Sequence, residues 1–310
     1  MSVGLEESYA RCCQIARRTA KNFYYSFLVM PREKRRAMCA IYAFMRHSDD
    51  IADSAANPAV ALEGLRTWRA AVEAALSRSS MLLDPHDRTG DKQDACSTDP
   101  ILPALVDTMR RYTIPQRHFH ELLEGVEMDQ TITRYATFDD LYKYCYLVAS
   151  AVGLVVLPIF GYDNKAALVP AEACGIAFQL TNILRDVKED AQMGRIYLPL
   201  EDLARFGVSE DDLMNAATTT PSHESEFYSR FLRLMNYEVG RAREFYEKAR
   251  PLLGMIDADS RGTLAVMIGI YGGILDKIKR ENYAVFDGRI RLSTAEKLWI
   301  VAKNWGKRSS

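Results

Sequence analysis

Residues 179–199 read QLTNILRDVKEDAQMGRIYLP, and within them Asn182, Asp186 and Asp190 recur every four residues. Because an α-helix has about 3.6 residues per turn, this spacing puts an amide and two carboxylates on one helix face over about two turns. Asn and Asp disfavour helix interiors because they compete with the backbone for hydrogen bonds. A row of three such residues is therefore either a solvated polar face or a metal site.

A second acidic row favours the metal site. Asp49 and Asp53 also stand four residues apart, with Asp50 beside them, shortly after the apolar run 41–44. Carboxylates this close to apolar surface are normally paired or metal-bound. Magnesium prefers oxygen ligands and combines one or two carboxylates with water and substrate phosphates. Together with nearby arginines, the two rows predict a magnesium diphosphate site.

The chain resembles the squalene/phytoene synthase family of head-to-head prenyl transferases in both rows, DDIAD at 49–53 and QLTNILRDVKED at 179–190. The resemblance implies an all-α, single-domain helical bundle around a central cavity, the isoprenoid synthase fold. It extends over nearly the whole chain and includes the flanking stretches KNFYYSFLVMP at 21–31, YKYCYLVASAVG at 142–153, GRIYLP at 194–199 and IYGGILDKIKRENYAVFDGRIRLS at 270–293.

The same resemblance implies roles for the residues that match its motifs. The four carboxylates Asp49, Asp53, Asp186 and Asp190 are expected to be catalytic, and with Asn182 to bind the metal. The GRIYLP segment is expected to form a flap over the acidic rows. Expected substrate-binding residues are Lys21, Asn22, Phe23, Tyr42, Arg46, Gln179, Arg185, Arg195 and Tyr271.

This chain departs from the family pattern at two places. It has Ala20 and Asn22 where relatives often carry serines, and Asn22 can still donate a hydrogen bond whereas Ala20 cannot. It has Gly272 where many relatives carry arginine, which removes one expected contact to the diphosphate.

The residue pattern alone leaves other interpretations open for three of these side chains. Arg46 can bind a diphosphate or form an ion pair with Asp50 four residues later. Arg185 can likewise bind a diphosphate or form an ion pair with Glu189 four residues later. By composition alone, Tyr42 is a core residue as readily as a site residue.

Composition limits the class of protein. The chain has 310 residues, 48% of them hydrophobic, which suffices for one large core. A net charge of -1 and a pI near 6.5 give no basic field, so we expect no nucleic-acid partner. The six cysteines form no CxxC pair and the first residues lack a signal-peptide pattern, which predicts a cytoplasmic protein with free thiols. Any membrane contact is expected to be peripheral, through the basic tail at 303–308.

One segment, 144–162, contains no charged residue over 19 positions and meets the length of a membrane span. Ser150, Gly153, Pro158 and Gly161 interrupt it, and a helix that is apolar all round also suits the centre of a bundle. We therefore expect a core helix, whose small residues could leave room for a long isoprenoid chain.

Periodicity and helix-stop signals predict the secondary structure. Gly194 is expected to end the central helix. Glu127 and Asp129 look like rim charges ahead of a loop near the site. A single domain spans 1–310, with polar loops at 77–100 and 215–224 and helices at 5–29, 32–54, 101–111, 115–132, 138–158, 170–192, 225–250, 258–282 and 293–304.

The expected reaction is the head-to-head condensation of two prenyl diphosphates with magnesium-assisted loss of pyrophosphate, with Mn²⁺ as an alternative ion. The motifs favour two farnesyl diphosphates giving presqualene diphosphate or squalene. The alternative is a phytoene or dehydrosqualene synthase of carotenoid synthesis. NADPH is not indicated, because the chain has no dinucleotide fingerprint. A non-catalytic helical assembly factor is a different class, and the complete acidic rows argue against it because unpaired carboxylates near a core are costly.

Overall fold

Helices make up the fold. The computed structural model describes residues 3–20, 26–27, 30–81 and 99–305. Over these residues there is no strand, only two isolated β-bridges, Arg134 with Ile196 and Tyr162 with Ile256. The α-helices are α1 (Leu5–Thr19), α2 (Arg32–Asp53), α3 (Pro58–Met81), α4 (Leu102–Arg111), α5 (Arg117–Met128), α6 (Phe138–Cys145), α7 (Ala151–Phe160), α8 (Leu168–Arg185), α9 (Val187–Gln192), α10 (Leu200–Phe206), α11 (Glu210–Thr218), α12 (Glu226–Ala249), α13 (Leu252–Met255), α14 (Ala258–Arg280) and α15 (Thr294–Trp305).

Several helix ends differ from the sequence prediction. The first helix ends at Thr19, not near residue 29, and the predicted site residues Lys21, Asn22 and Phe23 lie outside the described part of the chain. Helix α3 continues to Met81, five residues into the predicted polar loop, and the fifth helix already ends at Met128. None of these three ends has a glycine directly after the helix, which is the strongest local stop signal in a sequence.

The predicted central helix 170–192 is two helices, α8 and α9, separated at Asp186. Its backbone angles there are φ -102° and ψ 13°, outside helical values. Backbone hydrogen bonds still run from Asp186 to Asn182 and from Asp190 to Asp186, both 2.9 Å. The break therefore bends the polar row without removing its four-residue spacing.

Gly194 ends α9 as predicted. Its φ of +74° is the left-handed conformation that favours glycine. The Gly194 amide donates to the Ala191 carbonyl at 2.9 Å, and the Arg195 amide donates to the Asp190 carbonyl at 2.8 Å. These two hydrogen bonds form a Schellman motif, which turns the chain back immediately after the acidic row.

Helix α8 occupies the centre of the bundle, where it packs against α7, α12 and α14. Two helical segments are long and apolar enough to cross a membrane by length and composition, Phe138–Phe160 and Lys165–Arg185. In this structure 56% and 67% of their most apolar windows are buried inside the protein. That burial is what the sequence analysis expected of core helices in a bundle.

Small residues bring the backbones of these two central segments together. A Cβ atom on Gly175 would lie 2.5 Å from the Ser150 Cα atom, a distance that no side chain tolerates. Ser150 ends a π-helical turn, Tyr146–Ser150, and its hydroxyl donates to the Glu172 carbonyl at 2.7 Å. This close packing fixes the wall on which the central cavity is built.

Lys34 ties three helices together at one end of the bundle. Its ammonium lies 3.0 Å from the Phe160 carbonyl of α7, and 2.6 Å and 3.0 Å from Asp259 and Ser260 of α14. It also contacts the Asp257 carboxylate at 3.0 Å. A largely buried ammonium is stable only when such acceptors surround it. We call this the closed end of the bundle.

Candidate active site

A cavity of about 910 Å³ runs through the bundle, and its wall changes from polar to apolar along its length. The acidic and basic side chains come from the end of α2, from α8 and from three loops. Deeper lining residues are apolar. Polar lining residues include Arg46, Asp49, Asp53, Asp129, Gln179, Asn182, Arg185, Arg195 and Arg289, and apolar ones include Val148, Val152, Leu157, Phe160, Leu252 and Leu264.

The first acidic row lies at the solvent-open mouth of this cavity, where Asp49 and Asp53 are both exposed to solvent. The pKa of Asp49 is raised above its usual range. The larger cause is partial desolvation by the surrounding protein, and the second is repulsion from the charge of Asp53. Water still reaches this carboxylate and partly screens it. Arg46 lines the cavity and pairs with Asp50, so its structural and site interpretations are compatible.

Of the second row, Asn182 lines the cavity, whereas Asp186 and Asp190 lie beside the lining residues Arg185 and Arg195. Arg185 donates from Nε to Asp186 at 2.7 Å, and Arg289 donates to the other oxygen of the same carboxylate at 2.7 Å. The alternative interpretation, in which Arg185 forms an ion pair with Glu189 on an exposed face, is therefore wrong. Arg185 is only 12% exposed, and its partner is the predicted metal ligand itself.

Asp190 is the least compensated carboxylate of the second row. Burial, and then the charge of Asp186, raises the pKa of Asp190 from 3.8 to about 7. Arg195 opposes this shift, but only as a more distant charge. A group of carboxylates that repel one another in this way favours a bound cation.

Asn182 connects three of the predicted site residues. Its amide nitrogen donates to Gln179 at 3.3 Å, and its side chain is also hydrogen-bonded to Tyr271. Burial raises the pKa of Tyr271 to about 12, so this hydroxyl stays protonated. Tyr42 lines the same cavity.

Asp129 is a cavity residue that the sequence analysis treated only as a rim charge ahead of a loop near the site. It lines the cavity, and its charge raises the pKa of both Asp49 and Asp190, so it lies between the two acidic rows. The Tyr197 hydroxyl donates to its carboxylate at 2.8 Å, and the Arg195 guanidinium donates to its carbonyl at 3.0 Å. A single acid at the end of a helix resembles a surface charge. The only local signal was its position directly before a loop near the site.

Arg289 was missed, because the sequence offers only a basic residue in a loop after α14. The segment predicted to be a flap is attached to the Asp129 loop, since the Ile196 amide donates to the Thr133 carbonyl at 3.0 Å. Both additions come from loops that tertiary packing brings to the acidic rows.

The donor set fits a hard cation such as Mg²⁺. It consists of carboxylate and amide oxygens, with no thiolate or imidazole in either row. Within the described ranges, no three His, Cys, Asp or Glu side chains converge into a complete protein cage. Mg²⁺ does not require one, because it keeps water and substrate phosphates as ligands.

Comparison with known proteins identifies the family. The family model for squalene/phytoene synthases matches residues 16–296 of this chain. The chain belongs to the squalene/phytoene synthase family. This synthase is 37% identical over 306 residues to a 15-cis-phytoene synthase of Synechococcus elongatus, covering 95% of this chain and 91% of that one. It is 36% identical over 305 residues to a phytoene synthase of Arthrospira platensis, covering 94% and 90%.

Solved structures give the same family and fold. A dehydrosqualene synthase in complex with a ligand superposes on this synthase with a TM-score of 0.80 and 31% identity, covering 97% and 96% of the two chains. A squalene synthase from Alicyclobacillus acidocaldarius has a TM-score of 0.76 and 27% identity, covering 90% and 95%. The predicted all-α isoprenoid synthase fold is confirmed, and the reaction class is the head-to-head condensation of prenyl diphosphates.

Proposed function

We propose that this synthase condenses two molecules of geranylgeranyl diphosphate into phytoene, in carotenoid biosynthesis. The observation that carries the proposal is the 37% identity to a 15-cis-phytoene synthase over 95% of the chain. This observation favours the alternative of the sequence analysis over its first choice, presqualene diphosphate or squalene from farnesyl diphosphate.

The cavity is compatible with the longer substrate. Lys34 and Asp49 lie fifteen residues apart on α2, which corresponds to about 22 Å along the helix axis. Phe160 lines the cavity and its carbonyl accepts a hydrogen bond from Lys34 at 3.0 Å, so the cavity wall includes a residue in contact with the start of α2, whereas Asp49 lies near the end of α2. An isoprene unit with four chain bonds of about 1.5 Å spans about 5 Å, so four units need about 20 Å and three need about 15 Å.

The acidic rows would hold the diphosphate through magnesium, with Asp49 and Asp53 on one side and Asn182, Asp186 and Asp190 on the other. Magnesium, when bound there, stabilises the negative charge that builds on the departing diphosphate. Its binding to Asp186 would compete with the ion pairs that this carboxylate makes in the metal-free protein.

The arginines supply the rest of the positive charge. Arg185 and Arg289 pair with Asp186 in the metal-free protein, and with Asp186 on a cation they would be able to donate to phosphate oxygens. Arg46 and Arg195 line the same end of the cavity. These groups neutralise charge where it develops, in a site that the protein has already arranged.

The deeper wall protects the carbocation that loss of diphosphate leaves behind. Val148, Val152 and Leu157 offer no nucleophile and exclude water. The faces of Tyr42 and Phe44 can stabilise positive charge without reacting. By family resemblance the first product is a cyclopropylcarbinyl diphosphate, which ionises again. The final cation gives phytoene by losing a proton, so no hydride donor is needed.

Product analysis tests the proposal. The purified enzyme is incubated with Mg²⁺ and either geranylgeranyl or farnesyl diphosphate, without NADPH, and the extracts are separated by chromatography. We expect phytoene from geranylgeranyl diphosphate at a much higher kcat/KM than any product from farnesyl diphosphate. Asp49→Ala and Asp186→Ala should remain folded and lose turnover, which checks that both rows are required.

Dehydrosqualene formation from two farnesyl diphosphates is the second candidate, favoured by the TM-score of 0.80 and 31% identity to a dehydrosqualene synthase. A higher kcat/KM with farnesyl diphosphate in the same assay would establish it and reject the phytoene proposal.

A further inference from the structure

The C-terminal helix α15 exposes apolar side chains along one face. Leu298 and Trp299 are 52% and 63% exposed, and Ala295 and Ala302 on either side of them are exposed as well. These four residues are spaced i, i+3, i+4 and i+7, so they form one continuous stripe. We call this stripe, Ala295, Leu298, Trp299 and Ala302, the α15 outer face.

The opposite side of α15 is anchored to the bundle. Ile300 packs against α14 at Gly269, which has no side chain. A Cβ atom on Gly269 would lie 2.7 Å from the Ile300 side chain. Gly273, one turn further along α14, also lies against Ile300. The α15 outer face therefore points away from the protein because its other side is occupied.

The surroundings of this face are basic. Residues 290–304 contain three basic residues, Arg291, Lys297 and Lys303, and one acidic residue, Glu296, giving a net charge of +2 within a chain of net charge -1. Lys303 lies over the Trp299 ring at 5.1 Å. An indole with a neighbouring ammonium is the arrangement that proteins use at the boundary between lipid tails and head groups.

This face adjoins the opening of the prenyl cavity. Arg291, Leu292 and Lys297 line the cavity, and Lys297 directly precedes Leu298 in α15. The substrates and products of this family carry long apolar chains that are poorly soluble in water. A chain that enters or leaves between these residues passes beside the α15 outer face.

We propose that the α15 outer face docks on an anionic lipid surface, with Leu298 and Trp299 inserted among the lipids and the flanking basic residues on the head groups. The cavity mouth would then open towards the membrane. The charge favours anionic lipid, since each basic residue near such a surface adds to the attraction. Two large apolar side chains are too few for a stable protein interface, which buries about 1,600 Å² in total.

The proposal predicts peripheral binding. One twelve-residue helix lying in the interface binds reversibly through its apolar face and its charges. It agrees with the sequence-based expectation of a cytoplasmic protein with at most peripheral membrane contact. It uses the apolar chains common to the family and does not depend on their length. The remainder of the basic tail predicted to contact membranes, residues 306–308, lies outside the described residues.

Vesicle binding by the full-length enzyme tests the proposal. Vesicles of phosphatidylcholine, alone or mixed with phosphatidylglycerol, are sedimented with the parent protein and with Leu298→Asp, Trp299→Asp and Val169→Asp. Val169 is the matched control, because it is 74% exposed and lies sixteen residues before Arg185 on α8, about 24 Å away along the helix. Trp299→Ser provides a second variant, and thermal melting checks that each variant is folded.

We expect the parent to bind the mixed vesicles more tightly than the neutral ones, and added salt to reduce the difference. Leu298→Asp and Trp299→Asp should each weaken partitioning at least about tenfold, and Val169→Asp should leave it unchanged. Lys303→Glu should lower the preference for anionic vesicles.

Three results would overturn the proposal. The first is that the parent does not bind vesicles. The second is that Val169→Asp and Trp299→Asp lose vesicle binding equally. The third is a dimer in solution that Trp299→Asp dissociates while vesicle binding persists. The last result would assign the face to a second copy of the chain.

Discussion

Replacing Asp190 by Asn should stabilise the metal-free enzyme, and more so at higher pH. Burial and the charge of Asp186 raise the pKa of Asp190 from 3.8 to about 7. The folded protein therefore holds this proton more tightly than the unfolded chain does. Stability falls as the pH rises from about 4 to 7, and the full penalty applies above 7.

The size of the effect follows from the two pKa values. The rise in pKa from 3.8 to about 7 lowers the free energy of unfolding by about 4 kcal/mol at pH 8, because one pKa unit equals about 1.4 kcal/mol. At pH 5 the unfolded chain is ionised and the folded one is not, so the penalty is about 2 kcal/mol. With about 0.65 kcal/mol per kelvin of unfolding entropy for 310 residues, Asp190→Asn should raise Tm by about 6 °C at pH 8 and about 3 °C at pH 5.

Thermal unfolding in the presence of a chelator measures this change. Asp163→Asn is the control, since it removes an exposed loop carboxylate and should shift Tm by less than about 1 °C at either pH. Mg²⁺ with inorganic pyrophosphate should then raise the Tm of the parent more than that of Asp190→Asn.

The reasoning is refuted if Asp190→Asn melts at or below the parent at pH 8. A gain of the same size at pH 5 and pH 8 would also count against it, because the substitution would then act by packing and not through ionisation.

Three further outcomes are expected. Arg185→Lys should lower kcat/KM at least about tenfold, or about 1.4 kcal/mol, because lysine keeps the charge but lacks the rigid planar fork that donates two parallel hydrogen bonds to a phosphate; unchanged kinetics would restrict Arg185 to its ion pair with Asp186. The affinity for Mg²⁺ with inorganic pyrophosphate, measured by titration calorimetry, should fall from pH 8 to pH 6, since Asp190 must lose its proton; a pH-independent affinity would contradict this. Lys34→Met should destabilise the protein by at least about 2 kcal/mol in urea unfolding, because it leaves acceptors at the closed end unpaired, whereas exposed Lys165→Met should not; equal effects would reject the anchoring role.

The choice of substrate depends on a quantity that the motifs do not contain. Both acidic rows are read directly from residues 49–53 and 179–190, and they indicate the reaction class. They contain no information about the chain length of the substrate, and the first preference for farnesyl diphosphate came from the motifs alone. The cavity that must hold this chain is lined by residues of several helices, among them Phe160, whose carbonyl contacts Lys34 of another helix.

Local patterns determined what depends on neighbouring residues. The four-residue spacing of Asn182, Asp186 and Asp190 predicts a shared helix face, and the spacing survives the break at Asp186 because the backbone hydrogen bonds continue across it. Gly194 ends the helix because its own backbone adopts a left-handed conformation. Both features follow from interactions over at most five residues, so the sequence by itself was sufficient.

Tertiary packing decided what depends on distant residues. Asp129 lies between the two acidic rows, although Asp53 precedes it by 76 residues and Asp190 follows it by 61 residues. Arg289 reaches Asp186 across 103 positions. A single charged residue in a loop has no periodicity, so nothing local distinguishes it from a surface charge. Its role arises only when helices α2, α5, α8 and α9 pack together, because burial and neighbouring charges then set its electrostatic environment.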